Sequence, residues 1–426
     1  MNLVTQIFKP TQIALPALPP LGLYIHLPWC VRKCPYCDFN SHLAPESPFK
    51  AIAINKLGGG HELGKKQADS LPPDIQKRYL RALINDLDQQ LPKVWGRKLH
   101  SVFIGGGTPS LFAPELIDEL LGAVRARFGM PVTGEITMEA NPGTFEQERF
   151  EGFKQAGVTR LSLGVQSFNS SALQALGRVH NAEQATRAVE SAVQLFDHVN
   201  IDLMYGLPLG PEGVQSVQQA ISDVQAAIQL RPDHLSLYQL TLEPNTQFEA
   251  KPPLLPELDV LIELEQAVHQ EVKKAGYERY EVSAFARAGC QSQHNVNYWQ
   301  FGDYLGIGAG AHAKISFANR IERENRLRNP QAYMQAVEQG DEFFESRELT
   351  VADLPFEFML NALRLTGGVP EQYFTERCGR PVSDLQRPLK LGLEKGLISP
   401  EPGRFKATSR GFDFLNDLQQ LFLGEE

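Results

Sequence analysis

The sequence has no run of eighteen uncharged apolar residues, so no segment reads as crossing a membrane. Its start has no basic stretch followed by a continuous apolar one, because Pro10, Pro16, Pro19 and Pro20 interrupt it. Residues 1–20 therefore read as a flexible arm and not as a secretory leader. Cysteine is scarce: there are five in 426 residues, and three fall within eight positions. An odd, clustered set excludes a disulfide framework. With the missing leader, it points to a reducing cytoplasm. Positive charge is also in deficit, with 41 lysines and arginines against 50 acids and a formal charge of −9. A broad nucleic-acid-binding face is thereby disfavoured. Internal repeats and low-complexity tracts are lacking too.

What is present is an alternation of short apolar runs and amphipathic stretches. The runs are Leu21–Leu27, Ser101–Gly106, Glu135–Asn141, Arg160–Ser167, His198–Leu207 and His234–Thr241. Helical periodicity appears in Asp74–Leu91, Pro114–Phe128 and Val214–Leu230. Near-continuous apolar strands separated by helices predict an α/β fold with a parallel sheet wrapped by helices. Six β/α units are counted where a closed barrel needs eight, so later segments close the barrel or it stays open. The expected layout is a core over 21–245, with 45–73 as an insertion loop. A region over 246–345 completes the barrel or links onward. Residues 346–426 read as a helical, winged-helix-like C-terminal domain.

The chemistry concentrates in Tyr24-Ile-His-Leu-Pro-Trp-Cys30-Val-Arg-Lys-Cys34-Pro-Tyr36-Cys37, just after the first strand. Open β/α folds place their ligands at that point. Spacings of four and three let three thiolates from one loop reach one iron–sulfur cube. Three ligands where four are usual leave one iron open to chelate S-adenosylmethionine (SAM), whose sulfonium one electron from a [4Fe-4S] cluster would cleave. The competing reading is a structural zinc ion held by the three cysteines and His26 or His42.

Companions follow on the later strands. Gly105-Gly106-Gly107-Thr108-Pro109 lets a ligand approach the backbone, with free N–H groups for a carboxylate-bearing head group. Glu139, Gln166 and Asp202 stand on three successive strands, and Arg178 lies twelve residues beyond Gln166. Each alone reads as an ordinary polar or ion-pair residue. Together they can ring one cavity.

CxxxCxxC with GGGTP, EANP, GVQSF and NIDLMYGLP in this order resembles the radical SAM family of oxygen-independent coproporphyrinogen III oxidases and their relatives. The resemblance runs from about Leu21 to the C-terminus. It implies a partial (β/α)6 barrel, TIM-like, and a helical C-terminal domain. It implies that Cys30, Cys34 and Cys37 bind the cluster. It further implies that Tyr24, Tyr36, Gly106, Gly107, Thr108, Glu139, Gln166, Arg178 and Asp202 contact SAM.

Two branches are distinguished. The oxidase branch, which decarboxylates coproporphyrinogen III, carries a further cysteine two residues after the third ligand; here that residue is Phe39. It also has a long N-terminal segment, where this chain has twenty-three residues before Tyr24. The haem-chaperone branch shows CDFNSH, HNxxYW and a later glycine cluster. This chain has Cys37–His42, His294-Asn-Val-Asn-Tyr298-Trp299 and Gly306–His312. The resemblance therefore implies haem as a bound ligand and apo-haemoproteins as recipients. A flavodoxin- or ferredoxin-type reductant is implied if the cluster cycles.

In the HNVNYW stretch, His294 is the expected haem ligand, since imidazole is a common axial ligand of haem iron. Tyr298 and Trp299 offer flat faces to a porphyrin, and Asn295 is expected to orient the imidazole. An extended or loop conformation would let them frame a planar ligand. The alternative is that His294 and Asn295 satisfy buried backbone while the aromatics sit in the core. His312 reads as lining a pocket near the barrel mouth, and Cys290 as a buried thiol with some prospect of ligation. A DNA-binding role for the C-terminal module is a third reading, and the acidic balance counts against it.

Overall fold

The computed structural model describes residues 12–45, 71–131, 134–143 and 147–424. Six parallel strands adjoin in chain order: β1 (Leu21–Leu27), β2 (Leu99–Gly106), β3 (Glu135–Ala140), β4 (Arg160–Gln166), β5 (His198–Tyr205) and β6 (His234–Gln239). Each is followed by a helix: α1 (Pro73–Gln90), α2 (Pro114–Arg127), α3 (Phe150–Ala156), α4 (Ala182–Leu195), α5 (Val217–Gln229) and α6 (Leu258–Lys274). These are the six units counted in the sequence. Strand interiors such as Leu23, Ile25, Val102, Ile104, Leu161 and Leu163 are fully buried, as a sheet covered by helices requires. Local signals set several helix starts. Asn181 and Ser216 each form a reciprocal capping box, with Gln184 and Gln219.

The barrel stays open. Residues 246–345 extend the sheet at both edges instead of closing it. β7 (Glu278–Arg279) and β8 (Ala284–Ala286) add antiparallel beyond β6. On the other side β9 (Asp303–Ile307) runs parallel to β1. An antiparallel meander continues it: β10 (His312–Phe317), β11 (Arg320–Arg326) and β12 (Phe344–Glu348). Over Tyr277–Ala286 the chain forms two short strands, because Tyr280–Ser283 turns between them. The HNVNYW stretch is helical, forming α7 (Gln293–Trp299) with Ser292 as its N-cap. The hydroxyl of Ser292 accepts from the Asn295 N–H, which favours the first turn over an extended path.

A second core lies under the C-terminal segment. Phe358, Phe374 and Phe405 pack edge-to-face there, and Phe301 of the sheet region joins them, 5.7 Å from Phe358 between ring centroids. Arg404–Phe405 pairs antiparallel with Val369–Pro370, a small wing beside the helices. Residues 12–20, expected to belong to a flexible arm, are instead packed. Ile13 and Leu15 are buried in this second core, and the Ala14 and Leu15 N–H groups donate to the carbonyls of Gly379 and Ala318. Their apolar side chains outweigh the prolines around them. Residues 1–11, and 46–70 of the expected insertion, lie outside the described residues. No described helix is long and apolar enough to cross a membrane.

Only one residue pair joins β9 to β10, Tyr304 with Lys314, and a buried charge cluster reinforces it. The Asp303 carboxylate accepts from Lys314 Nζ at 2.9 Å, Arg97 Nη1 at 2.8 Å, and the Ser316 hydroxyl and N–H at 2.7 and 3.0 Å. Burial works to raise the Asp303 pKa, but Lys314 and Arg97 outweigh it and hold the group ionised. Asp303→Ala would strand the Lys314 ammonium in the interior. Stability is expected to fall by about 3–5 kcal/mol. The readout is a lower urea midpoint at unchanged slope. A midpoint equal to wild type would mean that the cluster does not hold this edge.

Candidate functional site

Parallel strands bring their C-terminal ends to one rim, and alternate residues on each strand face the same side. Thr137 and Glu139 on β3, Ser162 and Gln166 on β4, Asn200 and Asp202 on β5, and His234, Ser236 and Tyr238 on β6 line one cavity of about 370 Å3. Its mouth is the cysteine loop, with Cys30, Cys34 and Cys37 all in the wall.

Each sulfur has a polar neighbour. The Thr108 hydroxyl donates to Cys30 Sγ at 3.5 Å, and Arg178 Nη1 donates to Cys34 Sγ at 3.5 Å. The Ser41 hydroxyl stands 3.6 Å from Cys37 Sγ. Burial pushes the Cys30 thiol up to about 12 and raises that of Cys37, so neither is a free-standing activated nucleophile. Among the described residues, the group bringing three ligand atoms within 4.8 Å is His198, Asp233 and Cys290, on the opposite edge of the strands. The loop cysteines are not so grouped, which suits a multi-iron cube better than one zinc ion. The two histidines considered for zinc are engaged elsewhere. His26 bonds the Tyr24 hydroxyl and the Asn40 carbonyl, at 2.8 and 3.0 Å. His42 bonds the Asn40 side chain and the Arg328 carbonyl, both at 3.2 Å.

The loop is seated by the glycine turn after β2. Gly107 N–H donates to the Leu27 carbonyl at 2.9 Å, and Thr108 N–H donates to the Trp29 carbonyl at 2.8 Å. A Cβ on Gly107 would stand 2.6 Å from the Trp29 oxygen, so only glycine fits. The turn's N–H groups are not free as expected: Gly106 donates to Glu139 Oε2 at 3.0 Å, and Gly107 is in the backbone bond just described. Across the cavity, Arg178 Nη2 donates to Asn141 Oδ1 at 2.6 Å and to the Gly164 carbonyl at 2.7 Å. Its Nε is buried without a partner among the described residues. Gln166 has φ of +71° where the β4–β5 register shifts, a bulge that turns its side chain at the strand end. Glu139 has its pKa raised to about 8 by burial and then by Asp202. Asp202 is likewise raised, mainly by burial, and accepts from Asn200 at 2.8 Å and Ser162 at 3.2 Å.

Of the expected SAM contacts, Tyr36, Gly106, Gly107, Thr108, Glu139, Gln166, Arg178 and Asp202 all line this cavity. Tyr24 does not. Its ring lines a second cavity of about 680 Å3, between β1, β9 and the meander, where it stacks on Phe103 at 6.1 Å. Phe39, Phe103, Gly106, Glu139 and Asn295 belong to both walls. Asn141, which bridges Thr108 and Arg178, escaped the sequence reading, as did the deep polar set Asn200, His234 and Ser236. Their period-two polarity inside otherwise apolar strands was the available signal.

His294 reaches the second cavity wall, but its ring is buried between Phe103 and Tyr298. Ser101 Oγ, not Asn295, holds its Nδ1, at 2.9 Å, and Nε2 is buried with no partner among the described residues. Burial lowers its pKa to about 3, so the ring is neutral. Trp299 is not in this wall. The turn of α7 sends it toward the C-terminal core, where Arg364 lies 4.3 Å from its ring centroid. Cys290 stands with His198 and Asp233, away from both cavities.

A family model for the radical SAM superfamily matches residues 24–217, and one for the HemN C-terminal domain matches residues 349–414. The heme chaperone HemW of Haemophilus influenzae is 43% identical over 97% of this chain and 100% of that protein. The heme chaperone HemW of Escherichia coli is also 43% identical, over 96% of this chain and 99% of its own length. Among solved structures, the coproporphyrinogen III oxidase HemN of Escherichia coli superposes with a TM-score of 0.74 at 22% identity, covering 95% of this chain and 90% of that one. The last likeness shows a common fold.

The raised Glu139 carboxyl has a measurable consequence. Its folded pKa of about 8 lies above the ordinary 4.5, so the folded chain keeps a proton that the unfolded chain releases. That contribution is fully present below pH 4.5 and is lost as pH rises toward 8. The stability of Glu139→Gln relative to wild type should therefore grow from pH 5 to pH 8, by no more than about 1.4 kcal/mol per pH unit. Urea unfolding at several pH values reads this. A constant difference would mean that the carboxyl ionises as in water.

Proposed function

Because the chain belongs to the radical SAM family, on its HemW branch, we propose that it binds haem in the second cavity and hands it to apo-haemoproteins. A [4Fe-4S] cluster and SAM would occupy the first. The observation that carries this reading is the second cavity itself. Five aromatic rings, Tyr24, Phe39, Phe103, Tyr298 and Tyr304, share its wall with three histidines, beside the cysteine loop. Flat apolar faces suit a macrocycle and imidazoles suit its iron. A volume of about 680 Å3 lies within the roughly 300–1,000 Å3 of cofactor pockets.

Cys30, Cys34 and Cys37 would hold the cluster, whose chemistry when bound with SAM is one-electron transfer. The surrounding residues hold and orient. Thr108 and Arg178 direct donors at two of the sulfurs, those of Cys30 and Cys34. Tyr36, Gly106, Gly107, Thr108 and Gln166 would shape the SAM pocket. Glu139 and Asp202 would accept hydrogen bonds from its amino group or ribose hydroxyls, with Glu139 giving up its proton as a cation arrives. Phe39 stands where an oxidase would carry a further cysteine, and it lines both cavities. A flavodoxin- or ferredoxin-type protein would supply the electron if the cluster cycles. The cytoplasm, where thiols stay reduced, is the setting this requires.

Alanine at any one of Cys30, Cys34 and Cys37 is expected to abolish a full complement of iron and sulfide after anaerobic reconstitution; bound zinc without sulfide in the parent protein would instead support the structural-metal reading. The parent protein should also take up one haem per chain and show no efficient conversion of coproporphyrinogen III with SAM and reductant. Robust turnover without haem uptake would replace the chaperone reading with that of an oxidase.

A further inference from the structure

Three histidines share the second cavity, and the structure separates their roles. His26 has both ring nitrogens engaged, by Tyr24 and by the Asn40 carbonyl. His294 has Nδ1 on Ser101, and its Nε2 is sealed from solvent beneath Phe103 and Tyr298. An iron at the centre of a porphyrin needs a nitrogen it can approach along its own axis, which a sealed nitrogen denies it. His312 differs from both. It opens β10 at the cavity wall, is exposed, and has no hydrogen-bond partner for either nitrogen among the described residues. Partial desolvation at the cavity wall, then Arg323, Arg328 and Arg326, lowers its pKa, so its lone pair is available at neutral pH.

The anionic edge of the ligand has its own partner. Arg326 is fully buried and spent on Asp86 and Glu324. Arg328, two residues on in the same wall, is exposed, and its guanidinium has no partner among the described residues. Its backbone carbonyl is tied to Asn40 and His42, which fixes it beside the cysteine loop. A guanidinium with no partner among the described residues, on an anchored stretch of backbone at the wall of an aromatic cavity, matches a carboxylate on a flat ring.

We infer that His312 is the imidazole that binds the iron of the haem carried in the second cavity, and that Arg328 pairs with one of its propionates. His294 is a positioning residue, which locks α7 against β2 through Ser101. Both assignments rest on the reading of the chain as a haem carrier, and each can fail while that reading stands.

The test uses the full-length protein titrated with ferric haem, followed by its absorption and electron paramagnetic resonance spectra. His312→Gly should lose the imidazole signature and weaken binding about tenfold or more, and added imidazole should restore the spectrum. His294→Gln should keep that signature once folded material is selected by circular dichroism. Arg328→Gln should weaken haem binding several-fold while leaving the affinity for the haem dimethyl ester, whose propionates are capped, unchanged. A wild-type spectrum and affinity in His312→Gly would overturn the ligand assignment. Equal loss of haem and ester binding in Arg328→Gln would overturn the propionate contact. Failure of the wild type to take up haem would remove the carrier reading beneath both.

Discussion

Everything at the rim depends on how closely two turns approach. The chain leaving β1 and the glycine turn leaving β2 continue their ladder past the ends of both strands, through Leu27 with Gly107 and Trp29 with Thr108. Two backbone bonds and a contact that excludes even a methyl group hold the Cys30 loop in place. From that seam the rest follows. Thr108 reaches back to Cys30, Asn141 reaches to Thr108, and Arg178 ties Asn141 to Cys34. The chain of contacts crosses β1, β2, β3 and the segment after β4. A shift in any of these strands would move a sulfur.

The interior below the rim shows a second economy. A parallel sheet wants apolar residues on both faces, yet polar side chains occupy alternate positions on β3 to β6. Those deep on β4 to β6 are tolerated because they satisfy one another: Asn200 links Ser162, Asp202, His234 and Ser236. Such a network is costly unless complete. Its cost is borne where a polar ligand enters the barrel.

Much of this was legible in the sequence. Six apolar runs alternating with amphipathic stretches predicted six strands, and CxxxCxxC after the first one located the rim. Side-chain partners across long separations were not legible. Nothing local links Ser101 to His294, 193 residues away, or Ile13 to the C-terminal core. A seven-residue stretch with one apolar position between its polar ones does not fix its own period. The helical course of α7 was therefore missed, and with it the opposite directions taken by Tyr298 and Trp299. Tyr24 precedes the cysteines by only six residues, but alternation along β1 turns it to the far side of Phe103 and Gly106 from the first cavity.

That partition is thin. Phe39, Phe103, Gly106 and Glu139 are each a surface of both cavities, so neither can be filled without redefining part of the other's lining. Two ligands that share a wall are thermodynamically linked, and the linkage is symmetric. Whatever factor an occupant of the first cavity applies to affinity in the second, an occupant of the second returns to the first. Affinity in each chamber is thereby set in part by the contents of its neighbour.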